Sequence, residues 1–232
     1  MQISTWNCAR KQRERILPAA RALNSDFVLL QELPCPNGSS PDELWIGTNP
    51  NQGVSVISCT GAPISLAGDY DKTLRYALPV EVGGDRPFQL LAIWMLKDPE
   101  HYVPNLVALL EHYRPFISRG PTVVAGDFNA NPGFDKKHPR YLFESITATL
   151  EELGLCSAYH ANSGEAHGHE TKPTYFHQYN RHQPFHIDYL FFPKSWRTAL
   201  SQVTVGNFED YASLSDHLPL SATFAHDNFT TA

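Results

Sequence analysis

Thr122-Val123-Val124-Ala125-Gly126-Asp127-Phe128-Asn129 is the stretch on which the reading of this chain turns. Its first four residues carry no charge and include three β-branched side chains, the pattern of a strand covered on both faces. Gly126 then frees the backbone, and an acid and an amide stand where the strand stops. Outward from this stretch the same grammar recurs. Trp6-Asn7 closes an apolar run near the start, and Val28-Leu29-Leu30 leads into Gln31-Glu32. Ile187-Asp188-Tyr189 sits within the run His186 to Phe192, and Ser215-Asp216-His217 precedes another strand-like segment. Five polar motifs on predicted strands describe one site assembled from many strand ends.

The chemistry available to such a site is limited. Glu32, Asp127, Asp188 and Asp216 supply carboxylates, Asn7 and Asn129 supply amides, and His217 is the imidazole that belongs to a motif. Oxygen donors of this kind suit a hard cation such as Mg²⁺, which keeps several waters and takes substrate phosphate as a further ligand. A zinc centre calls for more His or Cys. The set therefore favours metal-assisted attack on a phosphate ester over acyl transfer.

In these motifs, met in order from Ile3 to about Phe224, the chain resembles the endonuclease/exonuclease/phosphatase superfamily. That group includes exonuclease III, deoxyribonuclease I, abasic-site endonucleases, sphingomyelinases and inositol-polyphosphate 5-phosphatases. The resemblance implies an α/β fold of deoxyribonuclease I type: two β-sheets packed as a sandwich, helices flanking both sides in four layers, and the motifs at one rim. It implies Mg²⁺, with Mn²⁺ as a substitute, held chiefly by Glu32 with Asn7 beside it and Asp216 assisting. By the same resemblance Asp127 orients or deprotonates the attacking water and Asn129 holds phosphate oxygens. Asp188 and His217 form a carboxylate–imidazole pair that presents positive charge to the phosphate.

One position departs from the nuclease pattern. Where many members end a strand in His or Tyr, this chain has Trp94, whose indole donates but cannot act as a general acid. The substitute is sought in Lys97, His101 or Tyr102, or in the metal and its water. Tyr102-Val103-Pro104-Asn105 superficially matches a Tyr motif of abasic-site endonucleases, yet it falls where a helix should start. Trp94, Tyr175 and His186, with Phe176 or Phe185, are the expected substrate-binding side chains, their rings stacking on a base. His160, His167, His169, His177 and His182 crowd the same segment; no spacing among them matches a standard zinc site, and several read as loop residues.

Composition sets the frame. At 232 residues with 42% hydrophobic content, the chain reads as one domain, 1–232, with a sizeable core. No run reaches the length of a membrane span, and a first strand beginning near Met1 leaves no room for a signal peptide, so a cytoplasmic monomer is expected. Cys8, Cys35, Cys59 and Cys156 are irregularly spaced and read as free thiols. A net charge of −6, with one basic cluster at Arg10, Lys11, Arg13 and Arg15, argues mildly against tight non-specific duplex binding. The expected function is a metal-dependent phosphodiesterase, foremost a nuclease acting on DNA with little sequence preference. The alternative is a hydrolase of a small-molecule or lipid-linked phosphoester. A non-catalytic binding protein on the same fold is a third class, disfavoured because every motif residue is present.

Periodicity places strands over 2–7, 26–31, 53–58, 75–82, 88–96, 155–160, 173–176, 186–192 and 218–224. It places helices over 11–23, 102–118 and 140–153, with a polar loop over 161–172.

Overall fold

A computed structural model describes residues 1–97, 99–137 and 139–225. In chain order the strands of the first half are β1 (Gln2–Asn7), β2 (Phe27–Leu33), β3 (Glu43–Asn49), β4 (Gln52–Ser58), β5 (Ile64–Leu66), β6 (Ala77–Val82) and β7 (Phe88–Trp94). The second half adds β8 (Thr122–Asp127), β9 (Leu155–Ser157), β10 (Tyr175–Phe176), β11 (Pro184–Phe185), β12 (Asp188–Pro193), β13 (Leu200–Val205) and β14 (Leu220–Phe224). The helices are α1 (Arg13–Arg21), α2 (Tyr102–His112), α3 (Arg114–Ser118), α4 (Glu144–Glu152), α5 (Ala158–Ser163) and α6 (Phe208–Tyr211).

Twelve of these strands form two six-stranded sheets, in the orders β13-β14-β1-β2-β4-β3 and β5-β6-β7-β8-β12-β9. Each sheet contains one parallel pair, β1 with β2 and β7 with β8. Parallel neighbours need a crossover, supplied by α1 in the first sheet and by α2 with α3 in the second.

Strand parity shows how the layers form. Along β8, Val123 and Ala125 enter the core between the sheets, whereas Val124 joins the cluster that packs under α2, α3 and α4. Along β2, Phe27 and Leu29 face the inter-sheet core, while Val28 and Leu30 meet Ile16 and Ala20 of α1 on the outside. A strand apolar at every position is thus a strand with helices on one face and a sheet on the other. The sandwich with helices on both flanks agrees with the expected fold class.

Several boundaries move. The helix expected over 102–118 is two, separated at Tyr113, with Pro115 in the first turn of α3. The strand expected over 155–160 ends at Ser157, and its remainder begins α5, which extends into the stretch read as a loop. The expectation at 140–153 shortens to α4. Strands β3, β5, β11 and β13 were not anticipated. All four cysteines are free thiols. No helix among the described residues is long and apolar enough to cross a membrane.

Candidate active site

Topology brings the polar motifs to one rim. Asn7 and Glu32 lie toward the ends of parallel strands β1 and β2, and Trp94 and Asp127 end parallel strands β7 and β8, so each pair shares an edge. A hydrogen bond of 2.9 Å from Asn7 Nδ2 to Asp127 Oδ2 shows that the two edges coincide. Strand β12 runs antiparallel to β8, and its first residue, Asp188, is the register partner of Asp127. His217 precedes β14, which runs antiparallel to β1.

Local backbone features aim the side chains. Gly126 has φ +151°, and a Cβ there would stand 1.8 Å from the carbonyl oxygen of Ile93; only glycine lets β8 lie this close to β7. Glu32 falls on outward parity, but the β2–β4 register shifts between Gln31 and Leu33, and Glu32 has φ +56°. This bulge re-aims the carboxylate, bringing Oε1 to 3.1 Å from Asn7 Nδ2 and Oε2 to 3.0 Å from Arg10 Nε.

Asp127 is held by three donors. Asn129 N–H reaches Oδ1 at 2.9 Å, and the Asn7 and Asn129 amides both reach Oδ2 at 2.9 Å. Burial nevertheless raises its pKa to about 7; nearby His217 opposes the rise, Asp188 adds to it, and the hydrogen bonds from Asn7 and Asn129 oppose it. Two buried carboxylates on directly opposed strand positions repel, and His217 resolves that conflict. Its Nδ1 lies 2.9 Å from Asp188 Oδ2 and 3.2 Å from Oδ1. Because a carboxylate only accepts, Nδ1 carries the proton. Burial opposes a charge on this ring, but Asp188 and Asp127 outweigh it and raise His217 to about 9. Ligand atoms of Asp127, Asp188 and His217 all lie within 4.8 Å of one another.

Residues to which the sequence reading gave no role lock this trio. Thr174 Oγ1 accepts from the backbone N–H groups of Ile187 and Asp188 at 3.1 and 3.0 Å. Ser215 Oγ donates to the Asn7 carbonyl at 2.7 Å and accepts from His217 N–H at 3.0 Å, tying the first motif to the last. Trp6 Nε1 donates to the His217 carbonyl at 2.9 Å. Ser215 stands inside a quoted motif and was readable; Thr174 carries no local signal.

Other expected residues land differently. Asn7 was expected to offer an amide oxygen to a metal. Its Oδ1 instead accepts from Ala9 N–H at 2.9 Å, and its nitrogen joins Glu32 to Asp127. Asn129 Nδ2, expected on phosphate, also donates to the Met95 carbonyl at 3.1 Å. Trp94 stands beside Asp127 in register but is 3% exposed, its ring 4.5 Å from that of Tyr76 in the inter-sheet core. It offers substrate almost no surface, which corrects the expected binding role. His186 is likewise buried, its Nδ1 2.8 Å from the Lys172 carbonyl, and it does not line an open pocket. Tyr175 is half-buried with its ring 4.5 Å from the His217 ring, and Asp216 lies half-buried at the rim, where its charge acts on both. Tyr102, first residue of α2, keeps its proton: burial, then the charge of Asp127, raises its pKa.

A model of the endonuclease/exonuclease/phosphatase family matches residues 4–217. The chain belongs to that family. Family membership makes it a divalent-metal-dependent hydrolase of the phosphodiesterase or nuclease type, and acidic and imidazole groups stand where a metal can be held. Among curated proteins, none matches the sequence. Solved structures share the fold. A 3' phosphatase, NExo, from Neisseria, bound to product DNA hairpin, superposes with TM-score 0.70 at 21% identity, covering 97% of this chain and 99% of that one. An AP endonuclease from Archaeoglobus fulgidus gives TM-score 0.74 at 18% identity, with 97% and 99% coverage. An AP endonuclease from Leishmania major gives 0.72 at 12%, with 97% and 87% coverage.

The residues present fit a hard divalent cation. Glu32 and Asp216 place carboxylates at the rim, and Glu32 is shared between the Asn7 amide and an ion pair with Arg10, whose side chain is 64% exposed. Oxygen donors with open positions are what Mg²⁺ or Mn²⁺ accepts.

Proposed function

We propose that this protein hydrolyses phosphodiester bonds of DNA, with little preference for sequence, using Mg²⁺ or Mn²⁺. The observation that carries the reading is the Asn7 amide linking Glu32 to Asp127 across the two sheets, with the Asp188–His217 pair directly beside it. Glu32 and Asp216 would hold the metal, because His217, its pKa raised by Asp188 and Asp127, already supplies the positive group between those two carboxylates. A cation held there would supply Lewis-acid chemistry to a phosphoryl oxygen and to water.

The chain's own residues carry the remaining steps. Asp127 accepts the proton of the attacking water, a role suited to a carboxyl raised toward neutrality. The His217 imidazolium, held by Asp188, stabilises the negative charge that grows on the phosphoryl oxygens. Asn129 orients Asp127 through its backbone N–H and its side-chain amide. The Tyr102 hydroxyl donates to the leaving oxygen, a part that the indole of Trp94 cannot play. The ring of Tyr175, beside His217, flanks the scissile nucleotide. A DNA substrate is supported by the neighbours of shared fold, one of them bound to a DNA hairpin.

The test is cleavage of supercoiled plasmid and of end-labelled duplex with Mg²⁺ or Mn²⁺, against chelator and Asp127→Ala. Metal-dependent cleavage lost in the variant is the expected result. Activity confined to small phosphoesters would replace DNA by the second reading, which the net charge of −6 favours.

A further inference from the structure

Some distance along the chain from these motifs, the histidine-rich segment forms a second cluster. His160 belongs to α5, and His167 and Glu170 follow in the polar loop that leaves it. His160 Nε2 lies 3.1 Å from Glu170 Oε1, His167 Nδ1 lies 4.0 Å from the same oxygen, and the three ligand atoms are all within 4.8 Å of one another. Tetrahedral zinc with bonds near 2.0 Å separates its ligand atoms by about 3.3 Å, so small side-chain movements close the site.

A simple hydrogen-bonded His160–Glu170 pair leaves two facts without cause. His167 Nδ1 is buried and has no hydrogen-bond partner, and the same is true of His186 Nε2. His186 is 3% exposed, its ring centroid 6.1 Å from that of His160. Its Nδ1 faces the Lys172 carbonyl at 2.8 Å; a carbonyl only accepts, so the proton is on Nδ1 and Nε2 presents a bare lone pair. Buried nitrogens without partners are costly, and a cation with a bound water accounts for both. Supporting contacts match those of metal ligands. Ser157 Oγ lies 2.7 Å from His160 Nδ1, leaving Nε2 as the ligating atom when Nδ1 donates. Gly168 N–H lies 3.0 Å from both Glu170 oxygens, and Asn131 Nδ2 is 3.4 Å from Oε2.

We propose that His160 Nε2, His167 Nδ1 and Glu170 bind a transition-metal ion of the Zn²⁺ class, with a metal-bound water completing the shell and donating to His186 Nε2. The site is separate from the Glu32 rim and differs from it in chemistry: two imidazoles and one carboxylate select a borderline cation where all-oxygen donors select Mg²⁺. It staples the loop after α5 to the start of β12, since the His186 carbonyl accepts from Asn131 Nδ2 and from the Tyr189 hydroxyl, both at 2.9 Å. His167, with 27% of its side chain exposed, gives the ion its entry path.

The test uses the full chain, stripped with chelator and held in Mg²⁺ excess to occupy the oxygen-rich rim, then titrated with Zn²⁺ by calorimetry and with Co²⁺ by visible absorption. His167→Asn is the informative variant, because a side chain without a hydrogen bond should be removable without harm to the fold. One equivalent of Zn²⁺ is expected in the wild type and in Glu32→Gln, with intense Co²⁺ bands of low coordination number. His167→Asn should bind at least about tenfold more weakly while circular dichroism stays unchanged. Equal Zn²⁺ affinity in wild type and His167→Asn, or absence of the Co²⁺ bands, overturns the proposal. Neither readout uses cleavage, so the outcome is independent of the nuclease reading.

Discussion

At Asp127 two demands oppose each other: burial favours the neutral acid, whereas a base for water must be ionised. The balance near pH 7 and the His217 value near 9 define a window. Cleavage should rise with pH through about 7 and fall through about 9, the acid limb moving lower when a cation is bound. Asp188→Asn removes the carboxylate that raises His217, so the alkaline limb should move toward the ordinary histidine value of 6.5, read from a rate–pH profile. The stability linkage has a definite sign. His217 has its pKa raised on folding, so its contribution is fully present below 6.5 and lost as pH rises through about 9. The wild type should therefore lose stability between those values, and Asp188→Asn should lose less, as thermal melts at stepped pH would show. Asp127→Asn should lower kcat by about 100-fold or more with metal affinity retained. Glu32→Gln should instead raise the Mg²⁺ concentration needed for half-maximal rate. Tyr102→Phe, which keeps the ring and loses only the hydroxyl, should lower kcat about tenfold or more with little change in KM.

At the scale of elements, β8 is the least forgiving strand. Gly126→Ala places a methyl against the Ile93 backbone, and since neither strand can yield within a buried parallel pair, a loss of about 3 kcal/mol or more is expected in denaturant melts. That glycine was legible, as were Glu32, Asp127, Asp188 and His217, because a polar group ending an apolar run is a local pattern. The strands missed were those with little apolar pattern to read. β3 and β13 lie at the sheet edges with no fully buried residue, and β5 has only three residues at the other sheet's edge. The misplacement of Trp94 has a parity cause. It shares the inward face of β7 with Leu90 and Ala92, and that face ends in core before it reaches the rim. His186 was expected to stack its ring on a base, yet alternate residues at a strand entrance are not constrained to one side until pairing is known. Asn7 was found but its orientation was not, since which end of an amide faces a carboxylate depends on Ala9 N–H, a contact made by the folded turn.

Across the whole molecule, charge is distributed against a strong hold on duplex. The basic cluster is largely engaged: Arg13 pairs with Glu43 at 2.6 Å, Arg10 with Glu32, Arg15 with the Ser213 carbonyl, and Lys11 lies over the Tyr179 ring. Binding of catalytically silent Asp127→Asn to duplex should therefore show a shallow salt dependence, with a log–log slope below about 4 in magnitude, measured by fluorescence anisotropy. The sheet order carries a further consequence. The first sheet takes its strands from both ends of the chain, β1 to β4 and then β13 and β14, while the second is drawn wholly from the stretch between. Asn7, Glu32 and His217 thus come from one sheet, and Asp127 and Asp188 from the other. A break in the exposed turn at Gly83-Gly84 would leave each fragment with an incomplete set of the proposed catalytic groups and an open sheet edge. Cleavage would return only on reassembly, making this fold a conjunction gate whose output reports that two separately encoded pieces have met.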